Sequence, residues 1–277
     1  MAQTGIFNSL QIVKMVPFGI YLDAGDLGEV LLPSKFAPAD VSVGDVIDVF
    51  LYTDSEDMVI ATTQKPFACA GEFAYLKVVA NTQPGAFLDW GLEKDLLVPF
   101  NQQRVPMEVN RNYVVYVYRD EKTQRLAAST KLDRFLDKKV PKFKKNEAVS
   151  VLIAQRTDLG YKAIINSTFW GVIYTNEIFK PIRVGQTHTA YIKQVRSDGR
   201  IDLSLQPPTH EIVDELSQAI LEHLKRNGGN SPLSDKSDPA VISQHFGVSK
   251  NAFKRAIGGL FKAGRIALSK EGMKLLD

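Results

Sequence analysis

Residues able to do covalent or metal chemistry are few in this 277-residue chain, and they are scattered. His188, His210, His223 and His245 share no spacing and no accompanying carboxylate pattern, so none is assigned a general-base or metal-ligating role. Cys69 is the sole cysteine; it can form neither an internal disulfide nor a cysteine-rich zinc cluster. Asp54, Glu56 and Asp57 form a dense acidic group. A two-metal nuclease needs several acids converging at one site, whereas these occupy one turn-like run and read as solvated. There is no G-x-x-x-x-G-K-[ST] phosphate loop and no G-x-G-x-x-G fingerprint. The expectation is a non-catalytic protein without metal or cofactor.

The chemistry that remains is binding, and the charge distribution suggests to what. Residues 1–66 hold three Lys/Arg against nine Asp/Glu, and residues 67–130 hold seven of each. Residues 131–148 hold seven against three, residues 149–209 seven against four, and residues 210–277 ten against eight. The front is acidic and everything after Lys131 is mildly basic, a pattern that suits a polyanion on the rear of the molecule. The candidate phosphate contacts are Lys142, Lys144 and Lys145, then Lys162, Lys193, Arg196 and Arg200. With 44% hydrophobic and 23% charged residues the chain is expected to fold. No apolar run approaches the roughly 18 residues of a membrane helix. The first residues lack the basic-then-apolar pattern of a secretory signal, so a cytoplasmic location without membrane contact is expected.

The elements that must position these residues repeat. Pro17–Gly25 (PFGIYLDAG) returns 66 residues later as Gln83–Gly91 (QPGAFLDWG), aligning Gly19 with Gly85, Tyr21 with Phe87 and Asp23 with Asp89. A further offset of 75 places Gly85 on Gly160, Val98 on Ile173, Tyr116 on Tyr191 and Ser129 on Ser204. Each copy contains short runs rich in Val, Ile, Tyr and Phe, broken by Gly, Asp, Asn and Pro. In the first copy the expected strands are Leu10–Met15, Gly19–Asp23, Glu29–Pro33, Val46–Tyr52 and Met58–Thr62. Five strands in about 65 residues suit a small closed barrel of the oligonucleotide-binding type, because closure removes unpaired edges. The recurrence of Asp23 and Asp89 points to turn chemistry, and the alternation at Tyr116, Tyr118 and Tyr191 suggests rings facing the core.

After Pro207-Pro208 the hydrophobic period changes. Ile212, Val213, Leu216, Ile220 and Leu224 mark one helical face, ended by Gly228-Gly229. Asp238-Pro239 starts a second helix with inner residues Val241, Ile242 and Phe246. Ser249 caps a third, with an apolar stripe of Phe253, Ala256, Ile257, Leu260 and Phe261. The tail reads as a hairpin turning at Lys270–Gly272. Three helices and a hairpin make a winged helix. The expected fold is mainly β with a C-terminal α+β domain: three tandem five-stranded oligonucleotide-binding-type barrels followed by a winged helix. The expected boundaries are 1–65 and 66–132 for the first two barrels and 133–148 for a basic linker. The third barrel is expected over 149–208 and the winged helix over 209–277.

Several strings carry a family resemblance: Phe18-Gly19-Ile20-Tyr21-Leu22, Gly28–Pro33, Val43–Val46, and Gly199–Leu205 in the third copy. Each copy resembles the S1-type RNA-binding domain. Three such domains joined to a winged helix, with Pro232–Pro239 and Phe253–Gly258 in the tail, resemble the conserved virulence factor B family of bacterial RNA-binding regulators. The resemblance implies single-stranded RNA as partner and control of gene expression after transcription. In the family's pattern the stacking platform is an aromatic, a glycine, any residue and an aromatic, with a histidine on the next strand. The first copy supplies Phe18 and Tyr21 and has Pro33 at the histidine position. The second keeps Phe87 and has Pro84 and Pro99 at the other two. The third has Leu159 and Lys162, with Tyr161 beside them and Tyr174 at the histidine position.

On the third helix Lys250, Lys254 and Arg255 lie opposite the apolar stripe, with Lys262 and Arg265 near the wing. These five are candidates for contacting structured RNA or a protein partner. Two further readings stand beside RNA binding. One is a protein adaptor with a vestigial RNA face, favoured by the prolines in the platforms; the other is a winged-helix DNA-binding regulator.

Overall fold

A computed structural model describes residues 1–54, 56–139, 141–207, 209–269 and 272–276, with 209–214 described by backbone alone. The chain divides into two compact units, Met1–Leu136 and Asp137–Asp277. The first unit holds two barrels; the second holds a third barrel and the helical region.

The first barrel comprises β1 (Phe7–Val16), β2 (Gly19–Asp23), β3 (Glu29–Pro33), β4 (Val46–Thr53) and β5 (Val59–Thr62), closed in the order β1-β2-β3-β5-β4. The second comprises β6 (Phe73–Thr82), β7 (Gly85–Asp89), β8 (Leu96–Pro99), β9 (Asn112–Arg119) and β10 (Leu126–Ser129). Its neighbours follow the same order, with β8 and β10 side by side at the seam. The third, β11 (Ala148–Thr157), β12 (Gly160–Ile165), β13 (Phe169–Tyr174), β14 (Thr187–Val195) and β15 (Ile201–Ser204), is closed like the first.

The repeat is also visible in the irregularities. The first strand of each barrel slips register at equivalent places, between Ile12 and Lys14, Val78 and Ala80, and Ile153 and Gln155. The bulge bends each strand so that one strand serves both neighbours in a small barrel. The recurring glycine has an equally local cause. A Cβ on Gly19, Gly85 or Gly160 would collide with the carbonyl oxygen of Leu32, Val98 or Ile173 on the adjacent strand. Only glycine allows the second and third strands to approach so closely there. Asp23 and Asp89 accept hydrogen bonds from the backbone N–H of Gly25 and Gly91 at 2.9 and 3.1 Å, so both act as turn formers.

The two barrels of the first unit share a core. Phe50 and Tyr52 of β4 are buried among Leu76, Val78, Leu88, Trp90 and Val115 of the second barrel. The run Val49-Phe50-Leu51-Tyr52 is therefore buried on both faces, Val49 and Leu51 toward their own barrel. The alternation in β9 runs opposite to expectation. Val115 and Val117 fill the barrel, while Tyr116 and Tyr118 face outward and pack on Phe135 at 4.1 and 5.6 Å between ring centroids. In β14 likewise Ala190 and Ile192 are buried and Tyr191 is half-buried. A small barrel takes the compact side chains inward and leaves a Tyr hydroxyl toward water.

The basic stretch 133–148 is anchored in each unit separately. Leu136 is buried in the first unit. In the second, the Asp137 N–H donates to the Thr168 carbonyl at 2.8 Å and Phe143 packs edge-on against Phe169.

The winged helix comprises α1 (Thr209–Arg226), β16 (Asn230–Ser231), α2 (Pro239–Phe246), α3 (Lys250–Lys262), β17 (Ile266–Ser269) and β18 (Gly272–Leu275). Asp238 and Ser249 cap α2 and α3 by accepting from the N–H of Ala240 and Ala252, and Gly247 ends α2 in the left-handed region. Leu216, Ile220, Leu224, Ile242, Phe253, Ala256, Ile257 and Leu260 form the core. Ile212, Val213 and His210 lie outside the described residues for their side chains, as does the turn at Lys270-Glu271. Two expected core residues are exposed instead. Val241 faces solvent on α2, and Phe261 is 53% exposed because it lies about 80° round α3 from Phe253 at about 100° per residue. β16, which pairs with β18, was too short to show as a pattern.

Candidate nucleic-acid interface

In the first barrel Phe18 sits in the β1–β2 turn and Tyr21 on β2, their rings edge-to-face at 6.4 Å and 84°. Phe18 is 58% exposed and Tyr21 half-buried. Lys14 lies opposite Tyr21 across the β1–β2 ladder, its Nζ 5.7 Å from the ring centroid. Pro33 faces Gly19 on β3 and extends the same apolar surface. An exposed ring beside a second ring and a cation is an arrangement on which an unpaired base can stack while its phosphate meets the ammonium group. Lys14 was not legible as a site residue because its neighbourhood depends on the bulge between Ile12 and Lys14.

In the second barrel Phe87 is half-buried on β7 and lines a cleft of about 370 Å³ at the β8–β10 seam. Pro84, Trp90, Pro99, Tyr118 and Leu126 form its apolar walls, and Tyr52 of the first barrel closes one side. Phe100, 58% exposed, follows Pro99 and stands across from Pro84 beyond the Gly85–Pro99 pair. The barrel that has a proline where Phe18 would be thus carries an exposed ring on the facing strand end. The sequence signal was present in Pro99-Phe100, at the position that Ser34 occupies after Pro33. Lys94 and Arg125 are the cations of this cleft. Burial pushes the Lys94 ammonium down from its ordinary value, opposed by the charge of Asp57, and burial followed by the charge of Asp89 pushes Asp95 up.

The third barrel is wired differently. Lys162 takes the position of Tyr21 and Phe87 and lies over Trp170, Nζ 4.1 Å from the ring centroid. Trp170 was not among the expected site residues; it reaches this face because β13 pairs with β12. Tyr161 is half-buried against the core, its hydroxyl donating to the Ile182 carbonyl at 3.3 Å. The Tyr174 hydroxyl accepts from Arg196 at 2.8 Å. Arg196 also donates to both oxygens of the buried Asp202 at 3.1 and 2.9 Å, and these bonds hold its guanidinium above its ordinary value. Lys193 pairs with Glu177 at 2.5 Å and Arg200 with Asp198 at 3.5 Å. The expected phosphate contacts Lys193, Arg196 and Arg200 therefore already have carboxylate partners within the unit. Lys142, Lys144 and Lys145 are all exposed.

On the winged helix Lys250 is half-buried, its Nζ donating to the Ser237 carbonyl at 2.8 Å, and Lys254 lies 4.0 Å from Asp235. Arg255, Lys262 and Arg265 are exposed together with Phe261. Among the described residues no group of three or more His, Cys, Asp or Glu side chains could hold a metal ion. No helix of the described residues is long and apolar enough to cross a membrane.

Comparison with known proteins places these domains. Residues 4–64 and 70–131 match the S1 domain, and residues 218–275 match the CvfB-like winged helix domain. Tandem S1 barrels ahead of a winged helix define a multidomain protein built from nucleic-acid-binding domains. The protein YitL of Bacillus subtilis is 29% identical over 271 residues, covering 93% of this chain and 89% of that one. Conserved virulence factor B of Staphylococcus epidermidis is 26% identical over 291 residues, covering 98% of each. The same-named protein of Staphylococcus aureus is 26% identical and covers 98% of this chain and 97% of its own. Over nearly its whole length the chain resembles the conserved virulence factor B family. A crystal structure described as a multidomain protein with nucleic acid binding domains, from Streptococcus pneumoniae, is 25% identical with a TM-score of 0.44, covering 99% of this chain and 98% of that one.

Proposed function

We propose that this protein binds single-stranded RNA through its S1 barrels, without catalysing a reaction, and thereby regulates gene expression after transcription in the cytoplasm. The observation that carries the reading is the exposed Phe18 ring set edge-to-face on the half-buried Tyr21, with Lys14 beside it, on an S1 barrel. Phe87 and Phe100 supply a second stacking surface in the same compact unit. Stacking on aromatic rings is worth about 1–3 kcal/mol per base and tolerates any sequence, so a chain of unpaired nucleotides is the ligand these faces suit. Lys142, Lys144 and Lys145 add phosphate attraction, and Arg255, Lys262 and Arg265 give the winged helix a basic face for RNA or a protein partner.

The adaptor reading draws on one observation, the internal pairing of Lys193, Arg196 and Arg200 in the third barrel. A titration with homopolymeric RNA, duplex RNA and duplex DNA separates the readings. Preference for unstructured RNA is expected, since stacking requires exposed base faces. Equal or tighter binding to duplex DNA would make the winged helix the main reader, and no binding to any of them would leave the adaptor.

A further inference from the structure

The turn between β4 and β5 of the first barrel reaches the cations of the second. Arg125 Nη2 donates to Asp57 Oδ2, and Lys94 Nζ donates to the backbone carbonyls of Thr53, at 2.8 Å, and Asp54. Both cations that line the second barrel's cleft are thus held by the first barrel. The turn is shaped for this. Asp54 Oδ1 accepts from the N–H of Glu56 and Met58 at 2.9 and 3.0 Å, and Asp57 adopts a φ of 66°. The same cleft keeps its apolar walls open.

We propose that Asp57 is a specificity-determining residue: it competes with phosphate for Arg125, so that the second barrel engages RNA by its bases and discriminates against bare polyanions. This rests on the RNA reading above. The Arg125 and Asp57 side chains are 55% and 48% exposed, so the pair is of the weak surface kind and a strong polyanion can displace it.

Asp57→Asn removes the charge and keeps a residue that tolerates positive φ. Wild type, Asp57→Asn and Glu56→Gln, the last removing an equal charge one residue away, are titrated in the full chain with homopolymeric RNA and with polyphosphate, which has no bases. Asp57→Asn is expected to tighten polyphosphate by about twofold to fivefold, the range that an exposed ion pair allows. It should tighten RNA less, and steepen the dependence of log affinity on log salt by about 0.7 for one added single-strand phosphate contact. Adding Arg125→Gln should abolish the gain. Equal gains from Glu56→Gln would make the effect one of net charge and overturn the proposal, as would no gain with either polyanion. A gain with polyphosphate alongside no RNA binding by any variant would support the competition for Arg125 and overturn the RNA reading itself.

Discussion

Phe50 of the first barrel meets Trp90 of the second edge-to-face, with ring centroids 5.8 Å apart and planes at 73°. Both rings are buried, and Phe50 is fully so, within one hydrophobic cluster that crosses from β4 to β7 and β9. Two S1 domains that repeat in sequence therefore share one hydrophobic core within the first compact unit.

That continuity predicts shared unfolding. Phe50→Ala should cost about 3–5 kcal/mol, the usual range for emptying a buried Phe site. Hydrogen exchange should then accelerate in β6–β10 as well as in β1–β5. Loss of protection confined to β1–β5 would show that the second barrel stands alone.

The proposed stacking faces predict a separation of stability from binding. Phe18→Ala and Phe100→Ala remove rings that are each 58% exposed, so melting should change little. Each should weaken single-stranded RNA binding by about 1 kcal/mol or more. Tyr21→Ala and Phe87→Ala remove half-buried rings, so affinity must be read per folded molecule. Phe67→Ala, 66% exposed and outside both faces, is the control, and an equal loss there would mark general hydrophobicity as the cause.

Arg196 tests the third barrel. Removing it leaves Asp202, buried and 2.6 Å from Gln194 Nε2, without its cation. An unpaired buried carboxylate is destabilising. Arg196→Ala should therefore lower the melting temperature while leaving RNA affinity per folded molecule unchanged. Weaker binding at unchanged stability would return Arg196 to the list of phosphate contacts.

What was legible in sequence and what was not follows from the range of the interactions involved. The equivalence of Gly19, Gly85 and Gly160 was readable because the copies align there without a gap, although the close strand approach each permits was not, and Asp238-Pro239 was readable because a helix cap is local in the chain. The outward face of Tyr116 was not, since an alternating strand has two faces and pattern alone does not say which is inside. Phe135, stacked on Tyr116, settles it from 19 residues away. The partners of Lys193 and Arg196 come from neighbouring strands and loops. Asp57 and Arg125 are 68 residues apart. The unbroken apolar run Val49–Tyr52 did carry a signal of burial on both sides, although not of what lies on the far side.

The winged helix carries a pH dependence. Burial, then the charge of His245, pushes His223 below its ordinary value; its Nε2 lies 3.2 Å from the Ser231 hydroxyl, with Phe246 and Asn227 against it. Between the lowered folded value and the ordinary value near 6.5, the unfolded chain binds more protons than the folded one. Stability of this domain should hold above about pH 7, fall as the pH drops through and below that ordinary value, and level off below the folded one. Melting curves between pH 7.5 and 5 check this. His223→Gln should flatten the dependence, and His245→Gln should do so in part; an unchanged slope in His223→Gln would assign it to other groups.

The last prediction concerns where RNA meets charge. The first barrel's segment is acidic, with three Lys/Arg against nine Asp/Glu over residues 1–66, and the third barrel's cations Lys193, Arg196 and Arg200 are paired with carboxylates. Lys142, Lys144 and Lys145 are exposed in the basic stretch, where seven Lys/Arg face three Asp/Glu over residues 131–148. Long-range attraction should therefore act mainly there. Changing all three to Gln should weaken every RNA sequence about equally, because phosphate contacts carry no base information. It should also flatten the salt dependence by up to about 0.7 in slope per lost contact. A loss of affinity at constant slope would instead mean that these lysines hold the chain's local arrangement. A change restricted to one sequence class would place them against bases.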